Sequence, residues 1–275
     1  MKADAFRYDG KRALVVGGAT GMGAATAELV QDLGAEVVVM DHAEVTLPGV
    51  KAIQVDLRDK GAIDAALDEC GGPIHALFSC AGVAEGTPGI EKINFISHRY
   101  LIERAVELGF LGRGSAVGMI SSTGGIGWRN NLEAVSEFVA IDDFDAAVAW
   151  IAERPEKANY VWAKQAVNVY VTSNAFRLLG LGIRINAIMP GPTDTPLARA
   201  NADVWLGMGA DYREAAHVDA SRSDEQAGPL VFLCSDAASH VTGEIMIIDA
   251  GYTASGIART FDTAGDAVAF LESIT

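Results

Sequence analysis

Tyr160 and Lys164 stand four residues apart in the stretch NYVWAKQAVNVYVTSNAF (159–176), polar at their tips among apolar neighbours. On a helix this spacing puts two side chains about 40° apart around the axis and about 6 Å apart along it, so they share one face. Such a pair can move protons. A free phenol titrates near 10, too high for an efficient base at neutral pH. A neighbouring ammonium favours the phenolate and lowers that value, each unit being about 1.4 kcal/mol of differential stabilisation. The same spacing also suits a core tyrosine beside a lysine whose stem packs and whose head snorkels to water. Taken alone, the pair leaves both readings open.

Chemistry of this kind needs a rigid scaffold. Short apolar runs bounded by turn residues recur at 13–18, 36–41, 51–56, 74–82, 115–122, 183–191 and 244–251. They have the length and continuity of strands buried on both faces, as in a parallel sheet covered by helices. Helical patterns fill the intervals at 22–33, 61–69, 91–109, 158–180 and 224–234. The alternation predicts an α/β protein, a doubly wound Rossmann fold with a central parallel sheet flanked by helices, as one domain over 1–275. The connection from Asp41 to Lys51 holds Pro48-Gly49 and is too short for a full helix. Residues 128–157 form a long acidic amphipathic piece, and 253–275 a tail whose Val268, Phe270 and Leu271 offer a docking face.

The first strand runs into Gly17-Gly18-Ala19-Thr20-Gly21-Met22-Gly23 and then a helix. Glycines permit positive φ and close backbone approach, and the helix N-terminus offers free N–H groups to a pyrophosphate. The second strand ends in Asp41, 18 residues after Gly23. A carboxylate there can hold the hydroxyls of an adenosine ribose and repel a 2′-phosphate. Neither Thr20 nor His42 supplies a cation for such a phosphate, so these residues predict NAD over NADP. A glycine-rich turn followed by a turn-capping Asp41 is the plainer alternative.

With these features on the page, the chain resembles the short-chain dehydrogenase/reductase family over about residues 9–252. VGGATGMG resembles the family's TGxxxGxG turn, which implies cofactor contacts at Gly17, Thr20, Gly21 and Met22, with Val16 where Thr is usual. VDL places Asp56 and Leu57 like the pair that contacts adenine. SCAG (79–82) stands where the family has NNAG, which implies Ala81 and Gly82 beside the cofactor and Cys80 in place of an Asn. PGPTDT (190–195) resembles the cofactor-clamping loop, implying Pro190, Gly191, Thr193 and Thr195, the last at the nicotinamide carboxamide. Asn94, Ser122, Tyr160 and Lys164 match the family's catalytic set. The resemblance implies Tyr160 as the proton-transfer group, with its pKa lowered by Lys164 and a positively charged nicotinamide. It implies Ser122 on the same substrate oxygen, Lys164 also on the nicotinamide ribose, and Asn94 holding a water that links Lys164 to solvent. Ser122 and Tyr160 are 38 residues apart, longer than is usual, so 128–157 reads as an insertion where many members form a helix–helix dimer contact. This layout is similar to the bacterial 3α-hydroxysteroid dehydrogenase/carbonyl reductases. The resemblance thus implies an NAD(H)-dependent oxidoreductase acting on a secondary alcohol or its ketone, and a homodimer or homotetramer. Non-redox chemistry on the same fold, or a cofactor-sensing role, is the alternative.

Composition narrows the partners. A net charge of −15 disfavours nucleic acid and anionic membranes. No apolar run is long enough to span a bilayer, and the start MKADAFRYDGKR lacks the apolar core of a signal peptide. Cys70, Cys80 and Cys234 show no paired framework, and the five His no ligand spacing, so the expectation is a cytoplasmic protein with reduced thiols and no metal. The apolar stretch LARANADVWLGMGADY (197–212), within a segment of about 196–218, reads as a substrate lid and suggests a hydrophobic alicyclic alcohol or ketone, steroid or terpenoid included. Trp128, Trp150, Met189, Trp205, Met208 and Tyr212 each read more readily as packing than as substrate contacts.

Overall fold

The five inner apolar runs become strands covered on both faces, while the edge runs Lys51–Gln54 and Ile245–Ile248 keep exposed residues such as Ile247. The computed structural model describes residues 3–274. It places β1 (Arg12–Val16), β2 (Glu36–Asp41), β3 (Lys51–Gln54), β4 (Ala76–Ser79), β5 (Ala116–Ile120) and β6 (Arg184–Pro190) in one sheet. A separate two-residue ladder joins β7 (Thr193–Asp194) to β8 (Ser221–Arg222), and β9 (Ile245–Ile248) returns to the main sheet. The seven-stranded order is β3-β2-β1-β4-β5-β6-β9, every pairing parallel. Side chains alternate between two cores. Leu14 and Val16 pack with Ile63, Ile102 and Ala166 on one face. Ala13 and Val15 pack with Ala27, Val30 and Leu230 on the other.

Helices α1 (Gly21–Asp32), α2 (Lys60–Cys70) and α3 (Ser97–Glu107) follow the early strands. No helix forms between β2 and β3, in line with Pro48-Gly49. The helix expected over 91–109 is not uniform: Lys92–Ile96 is one π-turn, and α3 continues from it. Such a wide turn is a frequent mark of a functional site. The 128–157 segment folds as α4 (Leu132–Val139) and α5 (Phe144–Ala152), ahead of the long α6 (Tyr160–Gly180). Short helices α7 (Pro196–Arg199), α8 (Ala202–Trp205) and α9 (Ala210–Ala216) precede α10 (Ser223–Cys234), and α11 (Tyr252–Ile257) and α12 (Asp262–Ser273) form the tail. Among the described residues no helix is long and apolar enough to cross a membrane.

α4 and α5 lie against α6 and the π-turn through a chain of aromatic rings. Phe138 sits 5.5 Å from Phe95 and 5.1 Å from Trp150, and Trp150 stacks 6.1 Å from Trp162. Trp162 thus faces the 128–157 segment. The Arg99 guanidinium, buried beneath, donates to the carbonyls of Val139 and Asp142 and ties off the end of α4. In the tail Val268 is buried and Leu271 packs on the core, but Phe270 is 65% exposed because it lies on the outer face of α12. Phe138→Ala is expected to destabilise the fold by about 3–5 kcal/mol, the usual cost of an aromatic cavity. A urea midpoint unchanged from the parent would show that the segment is not part of the cooperative core.

Candidate active site

In a parallel sheet with this order, ligands collect at the carboxyl ends of the strands beside the point where the order reverses, here between β1 and β4. The candidate residues lie there. Gly17–Gly21 follows β1, Asp41 ends β2, Asp56 and Leu57 follow β3, Ala81 and Gly82 follow β4, Ser122 follows β5, and 190–195 closes β6.

α6 starts at Tyr160 because Asn159 caps it, its Oδ1 accepting the Trp162 N–H at 2.8 Å. The Tyr160 N–H donates to the Glu85 carboxylate at 2.7 Å, which ties the loop after β4 to this helix end. One turn on, Lys164 is 4% exposed. Its ammonium donates to the Ile120 carbonyl at 2.9 Å and lies 5.5 Å from the centre of the Tyr160 ring. Ser121 donates to the Lys164 carbonyl at 3.1 Å, so β5 and α6 are joined at the site. The Ser122 Oγ accepts the Gly124 N–H at 3.1 Å, which leaves its own O–H free to donate. A Cβ on Gly124 would lie 3.5 Å from Ser122 Oγ and 3.6 Å from Tyr160 Cε1, so both side chains border one small space.

Asn94, in the π-turn, is buried and spends its amide on one residue. Its Oδ1 accepts the Val83 N–H at 2.8 Å and its Nδ2 donates to the Val83 carbonyl at 3.0 Å. Burial raises the Tyr160 phenol above its ordinary value, and the Ser122 hydroxyl draws it back in part. Burial brings the Lys164 ammonium down to about 8. The lowering expected from Lys164 together with a positive nicotinamide is therefore not seen in the chain by itself, where desolvation of the phenolate leads and the Ser122 hydroxyl only partly offsets it.

Ser122, Tyr160 and Lys164 border a cavity of about 220 Å³. Its other walls include Ile120, Pro192, Leu197, Trp205 and Met208, with Gly191 and Thr193 from the 190–195 loop. Pro190 lines it as well. The Trp205 ring stands 5.1 Å from that of Tyr160. Trp205 and Met208 are thus wall residues, which their isolated positions in the sequence did not favour. Trp128 and Met189 are buried core, and Tyr212 packs on Tyr252 and Phe261 away from the cavity.

A second cavity of about 430 Å³ adjoins the first, sharing Met22, Cys80, Gly82, Thr195 and Leu197. It is lined by Gly17, Thr20, Gly21, Asp41, Asp56, Leu57 and Ala81, while the candidates Tyr160, Lys164, Pro190, Gly191 and Thr193 line only the first cavity. Gly17 has φ +85°, and a Cβ there would meet the Ala81 backbone at 2.3 Å. The Thr20 side chain makes no capping bond, and the first helical bond runs from Ala24 to Thr20. The N–H groups of Gly21, Met22 and Gly23 are therefore unclaimed at the groove, a donor set suited to a pyrophosphate. Asp41 is aimed by two backbone donors, Ala19 and Ala43, each at 2.9 Å. Arg58, not singled out from the sequence, also lines the groove. It is held by Asp56 at 2.7 Å, and bonds from its guanidinium and its backbone N–H bring the Asp56 carboxyl down to about 2. No sequence spacing marks Arg58 as a groove residue; only the fold of the β3 exit does.

Known proteins resemble this chain in sequence and fold. Residues 17–253 match the family model described as enoyl-(acyl carrier protein) reductase. The chain is 30% identical to a cis-4-hydroxycyclohexanecarboxylate dehydrogenase of Sinomonas cyclohexanicum, covering 88% of this chain and 96% of that one. It is 28% identical to a (+)-borneol dehydrogenase of Salvia officinalis, covering 90% and 95%. The crystal structure of a 3-alpha-hydroxysteroid dehydrogenase from Pseudomonas sp. B-0831, complexed with NADH, superposes with a TM-score of 0.69 at 25% identity, over 91% of this chain and 100% of that one. The chain therefore belongs to the short-chain dehydrogenase/reductase family and is an oxidoreductase acting on CH–OH groups.

Proposed function

We propose that the protein uses NAD(H) to interconvert a neutral, hydrophobic, alicyclic secondary alcohol and its ketone. The carrying observation is the cavity beside Tyr160 and Ser122, in which Lys164 is the one charged residue among the described lining groups. A charged substrate would have no partner there besides the lysine. An apolar cavity of about 150 Å³ takes up benzene. The 220 Å³ here suits one ring with substituents or two fused rings, and fits a four-ring steroid less well. The relatives named for cyclohexane-ring and bornane-ring substrates support the alicyclic part of this reading; its neutral character rests on the cavity lining.

A bound nicotinamide supplies or accepts the hydride. The remaining steps belong to the chain. Tyr160, kept neutral by burial, passes its phenolic proton to the ketone oxygen in reduction; in oxidation its phenolate takes the proton from the alcohol. The free O–H of Ser122 donates to the same oxygen and stabilises charge developing there. Lys164, still largely protonated at neutral pH, favours the phenolate when alcohol is oxidised. Asn94 spends both atoms of its side-chain amide on Val83 and so steadies the loop after β4 beside Lys164. We assign NAD from Asp41 and the pairing of Arg58 with Asp56. We further infer a cytoplasmic homodimer or homotetramer, assembled through faces other than the α3–α6 surface that α4 and α5 occupy.

The test is a thermal-shift comparison of NADH and NADPH, followed by turnover of cyclohexanols, bicyclic terpene alcohols and steroids. NADH is expected to raise Tm more, and a neutral cyclohexanol to outperform its carboxylated analogue. Trp205→Ala is expected to raise KM for the ring substrate about ten-fold with NADH affinity unchanged, one buried aromatic contact being removed. A preference for the carboxylated alcohol, or a Trp205 variant with normal KM, would sink the substrate reading.

A further inference from the structure

The loop after β4 leaves the sheet early. Its last ladder bond runs from the Cys80 N–H to the Val16 carbonyl. The following residues, Ala81 and Gly82, nonetheless form part of both cavities' walls or their shared edge. They are held from the side. His98, the second residue of α3, is 3% exposed and uses both ring nitrogens. Its Nε2 is 2.9 Å from the Ala81 carbonyl, an acceptor, so this nitrogen carries the proton. Its Nδ1 is then the acceptor for the Ser79 hydroxyl at 2.5 Å. Burial, with help from Lys164, pushes the ring down to about 4 and keeps it in this neutral form. One turn earlier Asn94 grips Val83 through both of its amide atoms. Two side chains four residues apart on one helix therefore grip residues 79, 81 and 83, every second residue of the exit.

We propose that His98 is a positioning residue for the cofactor groove, setting Ala81 and Gly82 against the glycine turn by bonding Ser79 and the Ala81 carbonyl at once. The tolerance is small. The Ala81 backbone leaves no room for even a Cβ on Gly17, and a Cβ on Gly82 would lie 3.8 Å from Lys164 Nζ. Releasing Ala81 thus disturbs the glycine turn, whereas the ordinary contact distance at Gly82 leaves Lys164 in place. Cys80, between the two gripped residues, borders both cavities and makes no bond that could replace His98. His98 touches neither cavity itself; it acts through Ala81.

The inference rests on the groove being the NAD(H) site, and the experiment separates the two. In His98→Phe, hydrogen exchange of residues 79–84 is expected to quicken while β2 and α10 stay protected, a readout that needs no cofactor. NADH affinity, by fluorescence titration, is expected to fall about ten-fold, with kcat at saturating cofactor within about three-fold of the parent. His98→Gln, whose amide can reach the Ala81 carbonyl, is expected to recover most of the affinity. Ser79→Ala, a smaller change that folds more safely, is expected to weaken NADH about three-fold. If the parent itself does not bind NADH, the cofactor reading fails, and the exchange result alone decides the role of His98. Unchanged exchange at 79–84 would overturn the proposal. So would a His98→Gln variant that regains the parent Tm without regaining affinity, or a uniform loss of protection across the whole fold.

Discussion

Tyr160→Phe is expected to cut kcat by about 10²- to 10⁴-fold, the range contributed by a positioned acid or base. NADH affinity should stay within about two-fold, because the substitution removes one oxygen and leaves the ring against Trp205. The size of the effect follows from the site's composition. The lining also carries the hydroxyls of Ser121, Thr123, Thr193 and Thr195, but Ser121 and Thr193 donate to backbone carbonyls, and the groups set beside the Tyr160 ring are Ser122 and Lys164. Ser122 ordinarily titrates too high to exchange a proton at neutral pH, and Lys164 donates to the Ile120 carbonyl. Neither can substitute. Steady-state rates and an NADH titration on the same preparation check the prediction. Normal turnover in the Phe variant would remove Tyr160 from the chemistry. A parallel loss of NADH binding would recast it as a cofactor contact.

Asp41→Ala should weaken NAD about 10- to 100-fold, since bonds to a charged group contribute about 1.5–3 kcal/mol. NADP should suffer less, so that the preference for NAD narrows. The variant acts in two ways that must be separated. The carboxylate accepts from Ala19 in the glycine turn and from Ala43, so Ala also loosens the turn. Asp41→Asn removes the charge and keeps the shape and an oxygen for one of these donors, so it loosens the turn less than Ala. If the charge is what discriminates, Asn relaxes selectivity while keeping most NAD affinity. Arg58 sharpens the expectation. It lines the same groove, 53% exposed on its side chain, and its present partner is Asp56. A 2′-phosphate could compete for it once Asp41 is neutral. Selectivity unchanged in both variants would withdraw the NAD assignment.

The layered parallel architecture was legible because a strand covered on both faces must be apolar on both. The continuous runs VVVM at 37–40 and ALFS at 76–79 leave little other choice. Tyr160 and Lys164 on one face of α6 were equally legible, since a spacing of four maps directly onto a helix face. The π-turn at 92–96 was not, because apolar periodicity over KINFI does not distinguish one wide turn from two ordinary ones. Trp162 was ambiguous in sequence and became a stacking partner of Trp150 only once α5 had folded back onto α6.

Order along the chain, glycine placement and residue type determined the fold class, the glycine turn, Asp41 and the shared face of Tyr160 and Lys164, and the family resemblance added Ser122. These depend on local geometry, which repeats with a known period or turn, and on a strand order that brings carboxyl ends together. Tertiary structure alone decided that Trp205 stands over Tyr160, that Arg58 enters the groove, and that His98 holds Ala81. It also decided that the Tyr160 phenol is raised rather than lowered in the chain by itself. Each of these is a contact between segments far apart in sequence, or a desolvation that exists only when those segments close around the group, and no local spacing encodes either.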